Sequence, residues 1–253
     1  MLYGLIIDSY INISDVCKNT ITKLTEFMNL LIPLVLSLLV ANGTIVAAGM
    51  MKPVVLLMIS FINVLISKIL LPVTFLSLIM NVIGNISENI KFSKLPKVIQ
   101  KISLTFLKCT LAIFIGILSI EGTLAANVDG FTAKTTKAIV STTIPVVGKA
   151  LSDAADSVIG ATSITKNAIG VLGIIVIFII AIEPLLKLFV LMIAFDIAGG
   201  LMEPFADKRI SNCMSLTSNS IKMLLALLAV ISIMFILAIS MMIKISNFSL
   251  MYS

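Results

Sequence analysis

The stretch IKMLLALLAVISIMFILAISMMI, residues 221–243, carries Lys222 beside its start and no further charge until Lys244. A helix needs about 20 consecutive apolar residues to cross roughly 30 Å of hydrocarbon. This stretch therefore predicts a membrane-spanning helix. Residues 102–120 fit the same template, interrupted by Lys108. Together the two stretches predict a protein that crosses a membrane more than once.

The composition of the whole chain favours the same class. Of the 253 residues, 59% are hydrophobic and 12% are charged, whereas a soluble domain has about 25% charged residues. A soluble fold of this composition would lack the polar side chains that its surface needs. We therefore predict an all-α, polytopic helical protein of the cell membrane.

The residue types of common catalytic and metal sites are scarce. The chain has no histidine, which excludes Ser–His pairs and histidine ligands for zinc. Its three cysteines are far apart, so they favour neither a disulfide framework nor a metal site. The P-loop pattern fails at Gly148-Lys149, because Thr143 stands at its first glycine and Ala150 follows the lysine. No catalytic residue, cofactor or metal is predicted, and we do not expect an enzyme.

Two apolar runs are too long for one span and carry a charge beside a proline. Run 53–84 contains Lys68 shortly before a proline, and run 168–202 contains Glu183 directly before one. Such breaks favour discontinuous or re-entrant helices, whose freed backbone groups are satisfied by protein or water. Two ordinary spans joined by a tight turn are an equal alternative in each run. Lys68 is then expected at the turn of a hairpin.

The first residues differ in character from the rest of the chain. Residues 12–26 are polar, with apolar residues near helical spacing, and are predicted to form an amphipathic helix at the membrane interface. This divides the chain into an amphipathic segment, 1–26, and a polytopic core, 27–253. Within the core, run 27–41 is short for a span.

The distribution of lysines predicts the orientation of the helices. Segment 85–101 has four lysines and one acid, and the excess of positive charge predicts a cytoplasmic loop. One crossing then leaves 121–167 outside, where four lysines and four acids balance. A further crossing returns 203–222 to the cytoplasm. The cytoplasmic basic residues are Lys91, Lys94, Lys97, Lys101, Lys208 and Arg209.

Segment 121–167 is rich in Ala, Gly, Ser and Thr and has apolar residues near helical spacing. It predicts one or two amphipathic helices that can pack closely, with Lys149, Asp153 and Asp156 on their polar faces. These three residues are candidates for a conduit or for a surface that faces a partner. The alternative is a helical hairpin that caps the bundle.

Charges inside the apolar runs are the remaining candidates. Glu183 and Lys187 are four residues apart in the order that favours an ion pair. They are predicted either to pair structurally or, together with Lys68, to line a polar path. Asp196 is expected near the cytoplasmic interface, and Lys108 near enough to an end to snorkel.

The run VDGFTAKTTKAIVSTTIPVVGKALSDAADSVIGA, residues 128–161, resembles the stage III sporulation protein AE family of endospore-forming bacteria. The following KNAIGVLGIIVIF, the run with Glu183-Pro184 and the final span continue in the same order. The resemblance covers most of the chain from about residue 39.

The resemblance implies a polytopic component of the complex that links the mother cell to the engulfed forespore and is required for late forespore gene expression. It also implies a location in the mother-cell membrane around the forespore. The implied partners are the other stage III A proteins, including a cytoplasmic ATPase, and indirectly a forespore membrane protein. The cytoplasmic basic residues are then candidates for docking the ATPase.

The sequence leaves three functions open. The chain is either the transport core of a secretion-like channel, built as a homo-oligomer, or a scaffold that assembles ring proteins and the ATPase without conducting. A small-molecule permease is the third alternative. No nucleic acid is expected as a partner.

Overall fold

The structure is a computed structural model that describes the backbone of residues 2–86, 95–143, 147–204 and 208–251, and the side chains of 4–84, 95–124, 157–204 and 209–244. The elements in these ranges are α1 (Leu2–Ala41), α2 (Ile45–Val64), a π-helical turn (Leu65–Leu70), α3 (Leu71–Ile86), α4 (Leu95–Thr143), α5 (Val147–Met202) and α6 (Lys208–Met251). Since the described backbone contains no strand, the predicted all-α class is confirmed.

Within the described residues, five helical stretches are long and apolar enough to cross a membrane. They are Gly4–Ala41, Ile45–Gly84, Leu95–Leu124, Ser157–Met202 and Arg209–Lys244. The third and fifth contain the spans predicted at 102–120 and 221–243. The fold therefore matches a multi-pass helical membrane protein.

Helix α1 joins the N-terminal segment to the run 27–41, which is too short to span alone. It continues through Pro33 and ends at Ala41, where Gly43 adopts a φ of 81°. The carbonyl of Leu39 accepts hydrogen bonds from the backbone N–H of Thr44, at 3.1 Å, and from its hydroxyl, at 2.7 Å. This cap satisfies the end of α1 and reverses the chain into α2. The interfacial position of 12–26 stays a prediction.

The run 53–84 does not reverse at Lys68. Helix α2, the π-helical turn and α3 follow one another without a gap, and the N–H of Leu71 donates to the carbonyl of Ile66, five residues earlier. Because Pro72 has no N–H, the carbonyl of Lys68 lacks its usual partner, and a wider turn accommodates the change. The hairpin predicted at Lys68 is wrong.

The run 168–202 is also continuous. It lies within α5, which passes through Pro184 without ending. The re-entrant or hairpin arrangement predicted for this run is therefore wrong. The physical reason is that Glu183 points outward from the helix, so its charge requires no turn to leave the packed interior.

The chain divides into two compact units, each built from parts of the long helices. Unit 1 comprises Met1–Thr25, Phe61–Ala112 and Phe178–Ile233, and unit 2 comprises Glu26–Ser60, Ile113–Ile177 and Met234–Ser253.

Unit 1 is cross-linked by hydrogen bonds between helices. They run from the hydroxyl of Ser77 to the carbonyl of Pro96 (3.2 Å), from Nε2 of Gln100 to Oγ of Ser220 (3.2 Å), from the hydroxyl of Ser218 to the carbonyl of Met192 (3.2 Å), and from the hydroxyl of Ser211 to the carbonyl of Gly199 (2.9 Å). Such bonds stabilise helix pairs in membranes, typically by about 0.6 kcal/mol each. They fix the register of α3 with α4, of α4 with α6 and of α5 with α6.

Unit 2 brings α5 and α6 together at two glycines. A Cβ at Gly170 would overlap the side chain of Ile243, and one at Gly173 would crowd Leu31 and Ile239. Small residues allow this close approach of helices in membranes. The two glycines therefore set the distance between α5 and its neighbours here.

Candidate functional site

Glu183 and Lys187 form an ion pair on the outer face of α5. Nζ of Lys187 lies 2.6 Å from Oε1 of Glu183, and the two side chains are 56% and 73% exposed, respectively. The pair has the i,i+4 geometry expected of a helical surface. Its exposure means that any polar path containing Glu183 would run along the outside of the single chain.

The depth of this pair follows from two observations. Every window of about 20 residues between Asn167 and Asp196 contains both charges, so any full crossing of this run includes them. Asp196 itself pairs with Lys222, Nζ to Oδ2 at 2.9 Å, at the start of the charge-free part of α6. Glu183 is thirteen residues along α5 from Asp196, or about 20 Å. The pair therefore lies within the apolar run of α5, and Glu183 is well separated from the Asp196–Lys222 pair.

Three other lysines, Lys23, Lys68 and Lys108, differ in their interactions with Glu183 and Lys187. The charge of Lys23 on α1 is close enough to act on Glu183 electrostatically. Lys108 is exposed on α4 and makes no ion pair with any residue whose side chain the structure describes. Lys68 is exposed in the π-helical turn, and no hydrogen bond or ion pair links it to Glu183 or Lys187 in the described part of the chain. The predicted grouping of Lys68 with this pair is therefore not seen as a contact.

The basic candidates for docking are placed only in part. Lys97 and Lys101 are exposed on the first turns of α4, and Arg209 is exposed at the start of α6. Lys91 and Lys94 lie outside the described residues, as does the side chain of Lys208. The side chains of Lys149, Asp153 and Asp156 are also outside them, although α5 includes all three positions.

An open cleft of about 630 Å³ lies where α5 ends and α6 begins. It is lined by Asp196, Gly199, Gly200, Glu203, Arg209, Ser211, Asn212 and Ser215. Sequence reasoning considered Asp196 and Arg209 separately and missed their common cleft. The glycine pair after Asp196 was the available signal, because a side chain at Gly199 would press on Met214.

Lys166 is the buried charged residue that sequence reasoning missed entirely. It is fully buried in unit 2, where its ammonium group donates to the carbonyl of Ile243 at 3.0 Å. The sequence assigned it to a water-exposed segment. Lys166, Gly170 and Gly173 are spaced i, i+4 and i+7, however, and this shared helix face could have revealed its packing against α6.

Comparison with known proteins decides the family. The profile described as stage III sporulation protein AE matches residues 1–246. The chain belongs to the stage III sporulation protein AE family. It is 34% identical over 231 residues to the stage III sporulation protein AE of Bacillus subtilis (strain 168). The aligned part is 91% of this chain and 58% of the length of that relative. No solved structure matches the chain.

Membership of the stage III sporulation protein AE family gives the chain a role in sporulation. The resemblance noted in residues 128–161 is thereby confirmed. The five apolar helical stretches in the described part of the chain are compatible with a multi-pass membrane protein that acts in sporulation. Among the described side chains, no group of three or more His, Cys, Asp or Glu residues is arranged to hold a metal ion.

Proposed function

We propose that this chain is the membrane core of the channel complex that links the mother cell to the forespore and is required for late forespore gene expression. It acts as a homo-oligomer in the mother-cell membrane around the forespore, and the conduit runs between copies. The proposal refines the sporulation role that the family gives. Since the aligned part of the chain spans 58% of the length of its relative, the proposal concerns the membrane part of the protein alone.

One observation supports the proposal above all: the chain carries charges on its outer face within its apolar zone. A charged residue at the centre of a lone helix costs about 2.5–3.5 kcal/mol to insert. The Glu183–Lys187 ion pair offsets part of this cost, but both side chains are more than half exposed. The carboxylate of Glu183 is too short to reach the level of the Asp196–Lys222 pair, because it lies about 20 Å along α5 from Asp196. Contact with water or another protein removes the cost, and an oligomer with a conduit supplies both.

A scaffold without a conduit would also cover these charges, so the test must detect water. Single cysteines are introduced along 168–195 of α5, in chains lacking Cys109, and probed with a membrane-impermeant thiol reagent in sporulating cells. A conduit predicts labelled positions that recur with a helical period throughout this run. It also predicts that the reagent blocks late forespore gene expression in those variants.

A scaffold predicts a different pattern in the same cells. Labelling would stop near residue 167, and gene expression would continue after treatment. That result, obtained with variants that still assemble, would refute the conduit. Cysteine at Ser163, a buried position of α5 that precedes the scanned run, is the control for nonspecific penetration of the reagent.

We further propose that the exposed lysines at the start of α4 dock the cytoplasmic ATPase of the complex. The double substitution Lys97→Glu, Lys101→Glu is expected to reduce co-purification of the ATPase about ten-fold, because it replaces attraction by repulsion. Quantitative pull-down from sporulating cells measures the effect. Lys52→Glu, at an exposed lysine of unit 2, is the matched control. Equal recovery with both variants would contradict this docking surface.

A further inference from the structure

Helices α4 and α5 are the least covered of the five apolar stretches. Only 28% of the most apolar window of each is buried, against 56% for α6. In unit 1 each of them carries an exposed charge within its apolar run, Lys108 on α4 and Glu183 on α5. A head-to-tail contact between copies joins two different surfaces of one chain, and the opposite charges make these two surfaces complementary.

The two charges stand at nearly the same height in unit 1. The hydrogen bond between their side chains places Gln100 of α4 and Ser220 of α6 at about the same height. Both helices start in unit 1 and run in the same sense. Lys108 is eight residues beyond Gln100, so it lies about 12 Å above the level of Ser220.

Glu183 is placed by the neighbouring contact. The hydrogen bond from Ser218 to the carbonyl of Met192 sets α5 level with α6, and α5 runs in the opposite sense, since it ends in unit 1. Glu183 is nine residues from Met192, or about 13.5 Å, and Ser218 lies about 3 Å below Ser220. Glu183 is therefore about 10 Å above Ser220, within a side chain's reach of the height of Lys108.

We propose that α4 of one copy packs against α5 of the next, with the ammonium of Lys108 donating to the carboxylate of Glu183. Oε1 of Glu183 accepts from Lys187, and a carboxylate has further acceptor sites on its second oxygen. The flanking surface is apolar: Ile179, Leu186 and Val190 are 61%, 54% and 64% exposed on the same side of α5. Because the contact joins different surfaces, its repetition builds a ring where the rotation between copies closes, and an open filament where it does not. The inference rests on the oligomer in the proposed function but requires no conduit.

Cross-linking between two differently tagged copies tests the arrangement. One copy carries Ala112→Cys and the other carries Ile179→Cys, and both copies lack Cys109. Both positions are exposed. Ala112 lies one helical turn above Lys108, and Ile179 lies one helical turn above Glu183, each on the same side of its helix as the charge. A short thiol cross-linker in sporulating cells is expected to join the two tags in the mixed pair and not in either matched pair. Phe178→Cys replaces Ile179→Cys as control, because Phe178 is also exposed but points about 100° away from Ile179 around α5.

A charge exchange tests the residues themselves. Glu183→Lys alone and Lys108→Glu alone are each expected to lower co-purification of the two tagged copies about ten-fold or more. The double variant Lys108→Glu, Glu183→Lys restores it, since the pair is present again with reversed sign. Restoration would show that the loss in the single variants came from the charge pair, because both substitutions are still present in the double variant.

Three outcomes would overturn the arrangement: cross-links in matched pairs alone, equal cross-linking through Phe178→Cys, or no recovery in the double variant while the chain is present at normal amounts. A different set of results would contradict the proposed conduit and leave this arrangement intact. The mixed pair would cross-link and the charge exchange would rescue, while the thiol scan of 168–195 found no labelling.

Discussion

The variant Lys166→Glu is expected to lose the packing of α5 against α6 in unit 2. The buried ammonium donates to the carbonyl of Ile243, and a carboxylate in its place would face that oxygen with a like charge. An uncompensated buried charge destabilises a fold by about 3–5 kcal/mol. We expect little folded protein in the membrane, measured by the amount recovered in detergent and by its thermal unfolding midpoint.

Two further variants separate charge from shape at this position. Lys166→Met keeps the length of the side chain and removes the donor, so it is expected to cost about 1 kcal/mol. Thr165→Glu places the same acid on the adjacent, exposed position and should leave the amount of protein unchanged. If Lys166→Glu behaved like Thr165→Glu, the buried hydrogen bond would be unimportant for stability.

The second large effect is expected at Gly199, where α5 meets the start of α6. A Cβ there would lie 3.3 Å from Cβ of Met214 and 3.5 Å from backbone atoms of Ser211 and Ser215. These atoms belong to or adjoin the backbone of α6 and cannot rotate away. Gly199→Leu is expected to destabilise unit 1 by about 1–3 kcal/mol through overpacking. It should also weaken the bond from Ser211 to the carbonyl of Gly199.

The adjacent glycine provides the matched control. A Cβ at Gly200 would meet nothing within 4 Å, so Gly200→Leu adds the same atoms at an open position. It should be neutral or slightly stabilising, because leucine favours a helix by about 1 kcal/mol over glycine. The thermal unfolding midpoints of the two variants in detergent measure the difference. Similar midpoints would show that α5 and α6 are not in close contact here.

The sequence predicted the helical class and two spans, because charge-free runs of the right length have few alternatives to a membrane helix. It failed where a charge and a proline stood together. A turn was predicted at Lys68, but the wider turn at 65–70 absorbs the missing N–H of Pro72 without reversing the chain. At Glu183 the helix simply carries the charge on its outer face.

The candidate site was predictable only as separate residues. The spacing of Glu183 and Lys187 predicted their ion pair, but not which side of the helix would face outward, since that depends on what the remainder of unit 1 covers. Lys166 was missed because its charge suggested exposure. Its burial depends on glycines one and two turns later and on Ile243 of α6, 77 residues away along the chain.

The part of α5 that precedes its bond to α6 is long enough to extend beyond the membrane. Lys166 is tied to Ile243, next to Lys244 at the end of the charge-free part of α6, yet α5 begins at Val147, nineteen residues earlier. Measured along the helix this is about 28 Å, whereas the headgroup layer on one side of a bilayer is roughly 5–8 Å thick. This end of the helix is therefore long enough to contact a structure that lies beyond the headgroup layer. In the location proposed for this chain around the forespore, a partner anchored in the facing membrane would have only the remaining part of the gap to cross.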